Sequence, residues 1–433
     1  MSERSILPEE TQTEEYLYTP DAITQRYKDL IWYRKIRHAR RSKLARRAMA
    51  AGTTLGILAA PPAAFAEMIY RDIQQGKAEL AYDQAEVHTI YDYDGDDELY
   101  ATHGTFVLTG FGTKDPSETA VALDAHQEVG SVFAIEYSNN SLDIRNLAQK
   151  VMKTAREHGV SNLTIDGYSL GGLIGTHIAA YIHEHAEDLY ITNVVMNSSP
   201  IERDDLTARS QAALGPIEWI TDLYPDLLYS KKLRKPVELI NRNDRYIEES
   251  PDKQNNYRIS GLNSIVLDGT RYTLNFDRLM DQSSDVDRVM ADEKKASAWL
   301  MGMQIDVLER NIEDALQALS VAKDDKDDML PNIIYTGSEN PAWDPVVDPL
   351  SSSQRLAEIM DEFSNDFHIL LGNVQHANPA EARAAYAQIQ RGTLRQVTRR
   401  NLEVHENAIL AHAPRDAVEN IDDKKVDRAS GPN

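Results

Sequence analysis

Residues 163–175 read Leu-Thr-Ile-Asp-Gly-Tyr-Ser-Leu-Gly-Gly-Leu-Ile-Gly, and no other stretch constrains the chain as tightly. A short apolar run ends at Gly167, Ser169 follows two residues later, and Gly171 and Gly172 open a helical pattern. The spacing is Gly-x-Ser-x-Gly between a strand and a helix. A serine that lifts its hydroxyl above the end of a strand sits on a sharp, strained turn. The residues two before and two after it must then be small, or their Cβ atoms collide across the turn. Gly167 and Gly171 meet that condition, and Gly175 allows the following helix to lie close on the sheet.

The pattern around this turn alternates between strand and helix. Residues 105–109, 132–137, 162–166 and 191–196 read as strands. Residues 141–158 carry Ile144, Leu147, Val151 and Ala155 on one helical face, with Gly159 as a stop, and 171–186 is the helix leaving the serine turn. Such alternation predicts an α/β protein with a mostly parallel sheet flanked by helices. Residues 86–92 and 99–103 read as a hairpin around Asp-Gly-Asp-Asp. After Pro200 the rhythm stops. Residues 200–331 read as a mostly helical insertion, 332–336 and 367–371 resume as strands, and 379–390 and 393–404 read as two helices. The expected organisation is a leader over 1–66, a core over 67–199 and 332–395, the insertion between them, and a 396–433 extension whose tail from Pro414 is unstructured.

Charge narrows the function classes. Residues 1–66 hold 11 Lys and Arg against 7 Asp and Glu, and the remainder holds 35 against 62. A body that acidic repels nucleic acid and anionic polymers. Cysteine is absent, which excludes disulfides, thiolate metal sites and a cysteine nucleophile. The segment 34–47 has eight Lys and Arg and no acid, and 48–66 is uncharged and ends Pro-Pro-Ala-Ala-Phe-Ala. Those are the parts of an export signal or anchor, which would place the body outside the cytoplasm and associate it with a membrane; a cytoplasmic protein is the alternative. The acids Asp92, Asp94, Asp96 and Asp97 read as a solvated turn and not as a calcium loop. The histidines His103, His126, His177, His183 and His185 read as surface residues and not as metal ligands, since residues two apart on a helix face different ways.

Four segments in chain order carry a specific likeness: Leu-Thr-Gly-Phe-Gly at 108–112, Gly-Tyr-Ser-Leu-Gly at 167–171, Asp-Pro-Val-Val at 344–347 and Val-Gln-His-Ala at 374–377. Over roughly 86–199 and 332–391 the chain resembles the α/β-hydrolase superfamily, with 200–331 where such proteins carry a helical cap, inserted before the acid-bearing strand. The resemblance implies Ser169 as nucleophile, His376 as its base and Asp344 as the acid that orients the base. Glu339 and Asp348 stand close enough in sequence to replace Asp344. His376 is favoured over His368, which falls inside a strand, and over His405 and His412, which lie beyond the expected fold. It further implies an oxyanion hole from the backbone N–H groups of Phe111 and Leu170, although Thr109–Gly110 stands where many relatives have His-Gly. No cofactor and no metal are implied. The expected activity is a serine esterase or lipase acting on a small-molecule carboxylic ester through an acyl-enzyme, with Trp219, Trp299, Met301 and Met303 as an apolar roof suited to acyl chains. Thioesters, small amides, peptides and acyl transfer to an alcohol use the same machinery. A catalytically inactive binding or scaffold protein at the cell envelope is the alternative from another class, because fold does not fix function.

Overall fold

The computed structural model describes residues 62–412, except that 208–293 is described only at 210–211, 214, 218, 225–230, 247–249, 264–266, 272–275 and 292, and that 323–329, 341–342, 373, 375 and 377–382 are not described. The basic segment 34–47, the apolar stretch as far as residue 61 and the tail from Pro414 lie outside these residues. No described helix is long and apolar enough to cross a membrane.

The strands are β1 Glu86–Tyr91, β2 His103–Leu108, β3 Ser131–Glu136, β4 Asn162–Tyr168 and β5 Tyr190–Asn197, then three short ones in the insertion, β6 Ile247–Glu249, β7 Ser264–Val266 and β8 Tyr272–Asn275, then β9 Asn332–Ser338 and β10 Phe367–Gly372. The longer helices are α1 Pro62–Leu80, α2 Ile144–Glu157, α3 Leu170–His185, α4 Ala298–Val307, α5 Ile312–Leu319, α6 Pro349–Met360 and α7 Arg383–His412. The main sheet has the order β1-β3-β2-β4-β5-β9-β10, with β1 antiparallel to β3 and every other pairing parallel. Strand β4 lies at its centre and is buried at every position, as a parallel strand covered on both faces must be.

Local chemistry sets the element ends. Asp143 caps α2 by accepting from the Arg145 and Asn146 N–H groups, and Gly159 ends it at φ 68°. Leu147, Val151 and Ala155 are buried along α2, the face its spacing predicts. Helix α3 is buried along most of its length because it lies on β4 and β5 with α2 and α5 packed against it.

Four expectations about the elements change. The residues 99–103 do not form a hairpin with β1. Asp97 caps a helical turn, Glu98–Ala101, and β1 pairs with β3 instead. The acids around it have ordinary partners, Asp94 accepting from Tyr91 Oη and Asp92 meeting His158. Within the insertion, β6, β7 and β8 form a short antiparallel sheet that the helical reading does not include. Nor is the last part of the insertion a cap: Leu300, Met301, Ile305, Leu316 and Leu319 are buried in the main core. The two C-terminal helices are one, α7, which runs through Gly392, and its residues Thr398, Asn401 and Leu402 are buried. A glycine inside a helix costs only about 1 kcal/mol, too little to break a helix that packs along a sheet. Helix α6, capped by Asp348, was not anticipated.

The two faces of the sheet differ. Phe106, Leu108, Leu163, Ile165, Met196, Ile333 and Tyr335 point into the apolar core under α2, α3 and α5. On the α7 side, alternate positions are polar: Thr105, Thr164, Asp166, Asn193, Asn197 and Thr336 are all essentially inaccessible to solvent. His103 belongs to the same layer, its Nδ1–H donating to Val129 O at 2.6 Å while Nε2 accepts from Thr164 Oγ at 2.9 Å. Four of the five histidines read as surface residues are in fact covered, with His103 and His126 fully buried, His183 bonded to Val321 O at 2.7 Å, and His177 held down to about 4 mainly by burial; only His185 is exposed.

Burial pushes His103 down from 6.5 to about 4. Between those values the unfolded chain binds a proton that the folded chain does not, so stability is lost as pH falls below about 6.5. Urea midpoints measured from pH 7 to pH 4.5 are expected to fall more steeply for the native protein than for His103→Gln. The difference should approach about 2–3 kcal/mol at the acid end. Parallel pH curves for the two proteins would show that His103 does not contribute.

Candidate active site

The sequence 163–175 folds as its glycines require. At Ser169 the backbone turns through φ 54° and ψ −128°, a strained conformation for a non-glycine residue, between the end of β4 and the start of α3. A Cβ on Gly167 would lie 2.2 Å from Gly171 O, and one on Gly171 would lie 2.6 Å from Thr109 O. The turn is therefore closed to any larger residue at either position. It is pinned from the next strand by Ser169 N–H donating to Asn197 O at 2.7 Å.

Asp344 and His376 come from loops after β9 and β10, the two strands beyond β5. The Asp344 carboxylate is buried, and its Oδ1 accepts from the Val346 and Val347 N–H groups at 3.0 and 2.9 Å. Its Oδ2 lies 2.9 Å from His376 Nδ1, and His376 Nε2 lies 3.1 Å from Ser169 Oγ. The tautomer that satisfies both contacts has Nδ1–H donating to Asp344 and Nε2 accepting from the serine hydroxyl. Residues 169, 344 and 376 are thus joined in one hydrogen-bonded row. Of the three candidate acids, Asp344 is the one on the imidazole. Asp348 is occupied as the cap of α6, accepting from the Leu350 and Ser351 N–H groups, and Glu339 is exposed. His368 lies on edge strand β10, away from this row.

The acid loop is also tied to the first residues of the insertion. Thr207 N–H donates to Val346 O at 3.0 Å, Asp348 N–H to Asp205 O at 2.8 Å, and Thr207 Oγ to Pro345 O at 2.9 Å. The buried Asp205 carboxylate then accepts from the Ile201 and Glu202 N–H groups, from Ser351 Oγ and from Arg355 Nε.

The loop carrying Phe111 passes beside the serine. A Cβ on Gly110 would lie 2.6 Å from Ser169 Cβ and 3.1 Å from its Oγ, so this position too excludes a side chain. Among the described residues the Phe111 N–H has no hydrogen-bond acceptor. Leu170 opens α3, so its N–H has no acceptor within the helix. Two backbone N–H groups, one on the residue after the serine and one on the residue after Gly110, are therefore without an acceptor among the described residues.

The described residues among those offered as an apolar roof are engaged in packing. Met301 is buried in the core, and Trp299 donates to Asn140 O at 3.0 Å and stacks on Tyr229 with ring centroids 4.3 Å apart. Trp219 lies outside the described residues. A cavity of about 530 Å³ lined by Ile201, Leu308, Arg310, Arg355 and Phe363 contains none of residues 169, 344 and 376. Among the described residues no group of three or more His, Asp or Glu is placed to hold a metal ion.

Sequence reasoning missed two buried groups beside the serine. One is Gln304 on α4, the single amide in the run Ala-Trp-Leu-Met-Gly-Met-Gln-Ile. The other is Asp166 with His126, fully inaccessible and 2.7 Å apart, three residues before Ser169. For Gln304 the signal was a lone amide inside an apolar stretch; for Asp166 and His126 no local signal stood out.

No protein-family model matches the chain, and no curated protein matches it. Solved structures overlap it weakly. A carboxylesterase of the thaumarchaeon Nitrososphaera gargenis is 11% identical with a TM-score of 0.41, over 73% of this chain and 97% of that one. An esterase of Thermogutta terrifontis is 10% identical with a TM-score of 0.41, over 72% and 94%, and a monoacylglycerol lipase of Paleococcus ferrophilus is 10% identical with a TM-score of 0.38, over 74% and 99%. Overlaps of this size carry no argument about activity. The fold rests on the chain itself: a seven-stranded sheet with one antiparallel edge strand, a serine turn at the end of its central strand, and an acid and a histidine following in that order on the loops after two further parallel strands. The chain has the α/β-hydrolase fold.

Proposed function

We propose that the protein is a serine hydrolase that cleaves carboxylic esters through an acyl-enzyme. The observation that carries this reading is the row Asp344–His376–Ser169, with contacts of 2.9 and 3.1 Å between residues from three distant parts of the chain. A binding protein that kept the turn for packing alone would have no need to bring an imidazole and a buried carboxylate onto the serine.

In the proposed reaction Ser169 Oγ attacks the ester carbonyl carbon while His376 Nε2 takes its proton. Asp344 holds the ring in the required tautomer and stabilises the imidazolium that forms. The carbonyl oxygen gains negative charge and is received by the Phe111 and Leu170 N–H groups. His376 then gives its proton to the departing alcohol, leaving an acyl group on Ser169. Water attacks that acyl group with His376 again as base, and the acid is released.

The reading stops at carboxylic esters as a class, because Trp299, Met301 and Met303, three of the residues that favoured lipids, are occupied in packing. A fluorophosphonate probe tests it: stoichiometric labelling on the peptide containing Ser169, slowed by short-chain p-nitrophenyl esters, is the expected result. A folded protein that takes no label has no activated serine, and the reading falls.

A further inference from the structure

An oxyanion hole works only if its donors are already in place when charge develops, since donors that must reorganise give back the stabilisation. The Leu170 N–H is fixed by a helix. The Phe111 N–H is on residues 109–113, which have no strand or helix of their own to fix them. The contacts of that loop come from elsewhere. Thr109 O accepts from Tyr137 Oη at 2.7 Å, and Gly112 O accepts from Ala296 N–H at 3.1 Å. Apart from a Thr113 N–H to Gly110 O bond of 3.5 Å within the loop, Gln304 contributes three more, with Oε1 accepting from Gly112 N–H at 3.0 Å and Nε2 donating to Gly110 O and Thr113 O, each at 3.3 Å.

Gln304 is fully buried, and these bonds all go to the residues on either side of Phe111. One amide thus clamps both flanks of the peptide that bears the donor. We infer that Gln304 is a positioning residue that holds the Phe111 N–H for the oxyanion, an inference that rests on the ester-hydrolase reading above. Its chemical logic is differential. An ester in its ground state barely uses the donor, whereas the tetrahedral transition state depends on it. Loosening the clamp therefore lowers kcat and leaves KM nearly unchanged.

The test is Gln304→Met, which keeps the volume and removes the amide. With p-nitrophenyl butyrate, kcat should fall about 10–100-fold while KM stays within about twofold. The Ki of a trifluoromethyl ketone, which forms a tetrahedral adduct on the serine, should rise by a similar factor, and the apparent pKa of the kcat/KM profile should not move. Gln304→Asn, one methylene too short to reach both flanks, should show the same split and serves if the Met variant does not fold. A kcat within twofold of the native protein, or a loss of kcat with unchanged ketone affinity, overturns the inference.

Amide hydrogen exchange supplies an arm that needs no turnover. Gly112 N–H should exchange faster in either variant, and unchanged exchange overturns the clamp. A native protein that neither hydrolyses esters nor takes the fluorophosphonate probe would end the hydrolase reading, and the exchange result would then decide the clamp alone.

Discussion

Ser169→Ala is expected to lower kcat for p-nitrophenyl butyrate by about 10⁴-fold or more while leaving the fold intact. The serine is 8% exposed and its backbone is already in the strained conformation, so alanine in its place removes the hydroxyl without asking the turn to change. His376→Ala should cost about as much, because the two groups act as one device: a neutral hydroxyl is a poor nucleophile without its base, and a base with no hydroxyl has nothing to activate. The double variant should be no worse than either single one. That non-additivity is the informative part, since two independent binding contacts would give losses that multiply. Measured rates for the three variants that multiply, or a Ser169→Ala enzyme within tenfold of the native one, would rule out the proposed chemistry. Asp344→Asn belongs in the same series and should lose about 10⁴-fold, because an amide at that position no longer enforces the tautomer that leaves Nε2 free to accept.

The serine turn was legible because its steric demands are written in the residues that meet them. Gly167 and Gly171 could be read from sequence as positions where a Cβ would collide, and the distances of 2.2 and 2.6 Å give that collision a size. Asp344 and His376 were legible through the resemblance, which puts an acid and then a histidine after the serine on the loops following two later strands. What stayed hidden was long-range. Gln304 looks like a stray polar residue in an apolar helix, and nothing in its neighbourhood says that its partners lie almost 200 residues earlier. Asp205 reads as one of several acids after β5, yet it is buried and joins the insertion to the acid loop. Helix α6 was missed because 349–360 carries a weak apolar pattern and three serines in a row; the Asp348 cap and the packing of Leu356 and Met360 outweigh that. The antiparallel pairing of β1 with β3 could not be told from a local hairpin, since both use the same alternating strand.

The largest effect on stability is expected at Asp166. Its carboxyl has no solvent access, lies 2.7 Å from His126 Nε2, and accepts from Asn197 Nδ2 on its other oxygen. Asn197 in turn accepts on Oδ1 from Thr336 Oγ and from Gln390 Nε2, so the carboxyl ties together β4, β5, β9, α7 and the helical turn Asp124–Gln127. Asp166→Ala strands an imidazole and an amide in a space that water does not enter, and removing one member of such a buried pair costs about 3–5 kcal/mol. Urea unfolding followed by far-UV circular dichroism should report a loss of that size. His126→Ala should cost a comparable amount, but the double variant should cost clearly less than the sum, because the second change removes a group that the first had already left unpartnered. If the two losses simply add, Asp166 and His126 stabilise the fold separately and the pair is not the unit. The effect should also reach the proposed site, since Asn197, which Asp166 orients, supplies the carbonyl that pins Ser169 N–H. Folded Asp166→Ala molecules are therefore expected to take the fluorophosphonate label more slowly than native ones, whereas a labelling rate equal to the native rate would confine Asp166 to the core.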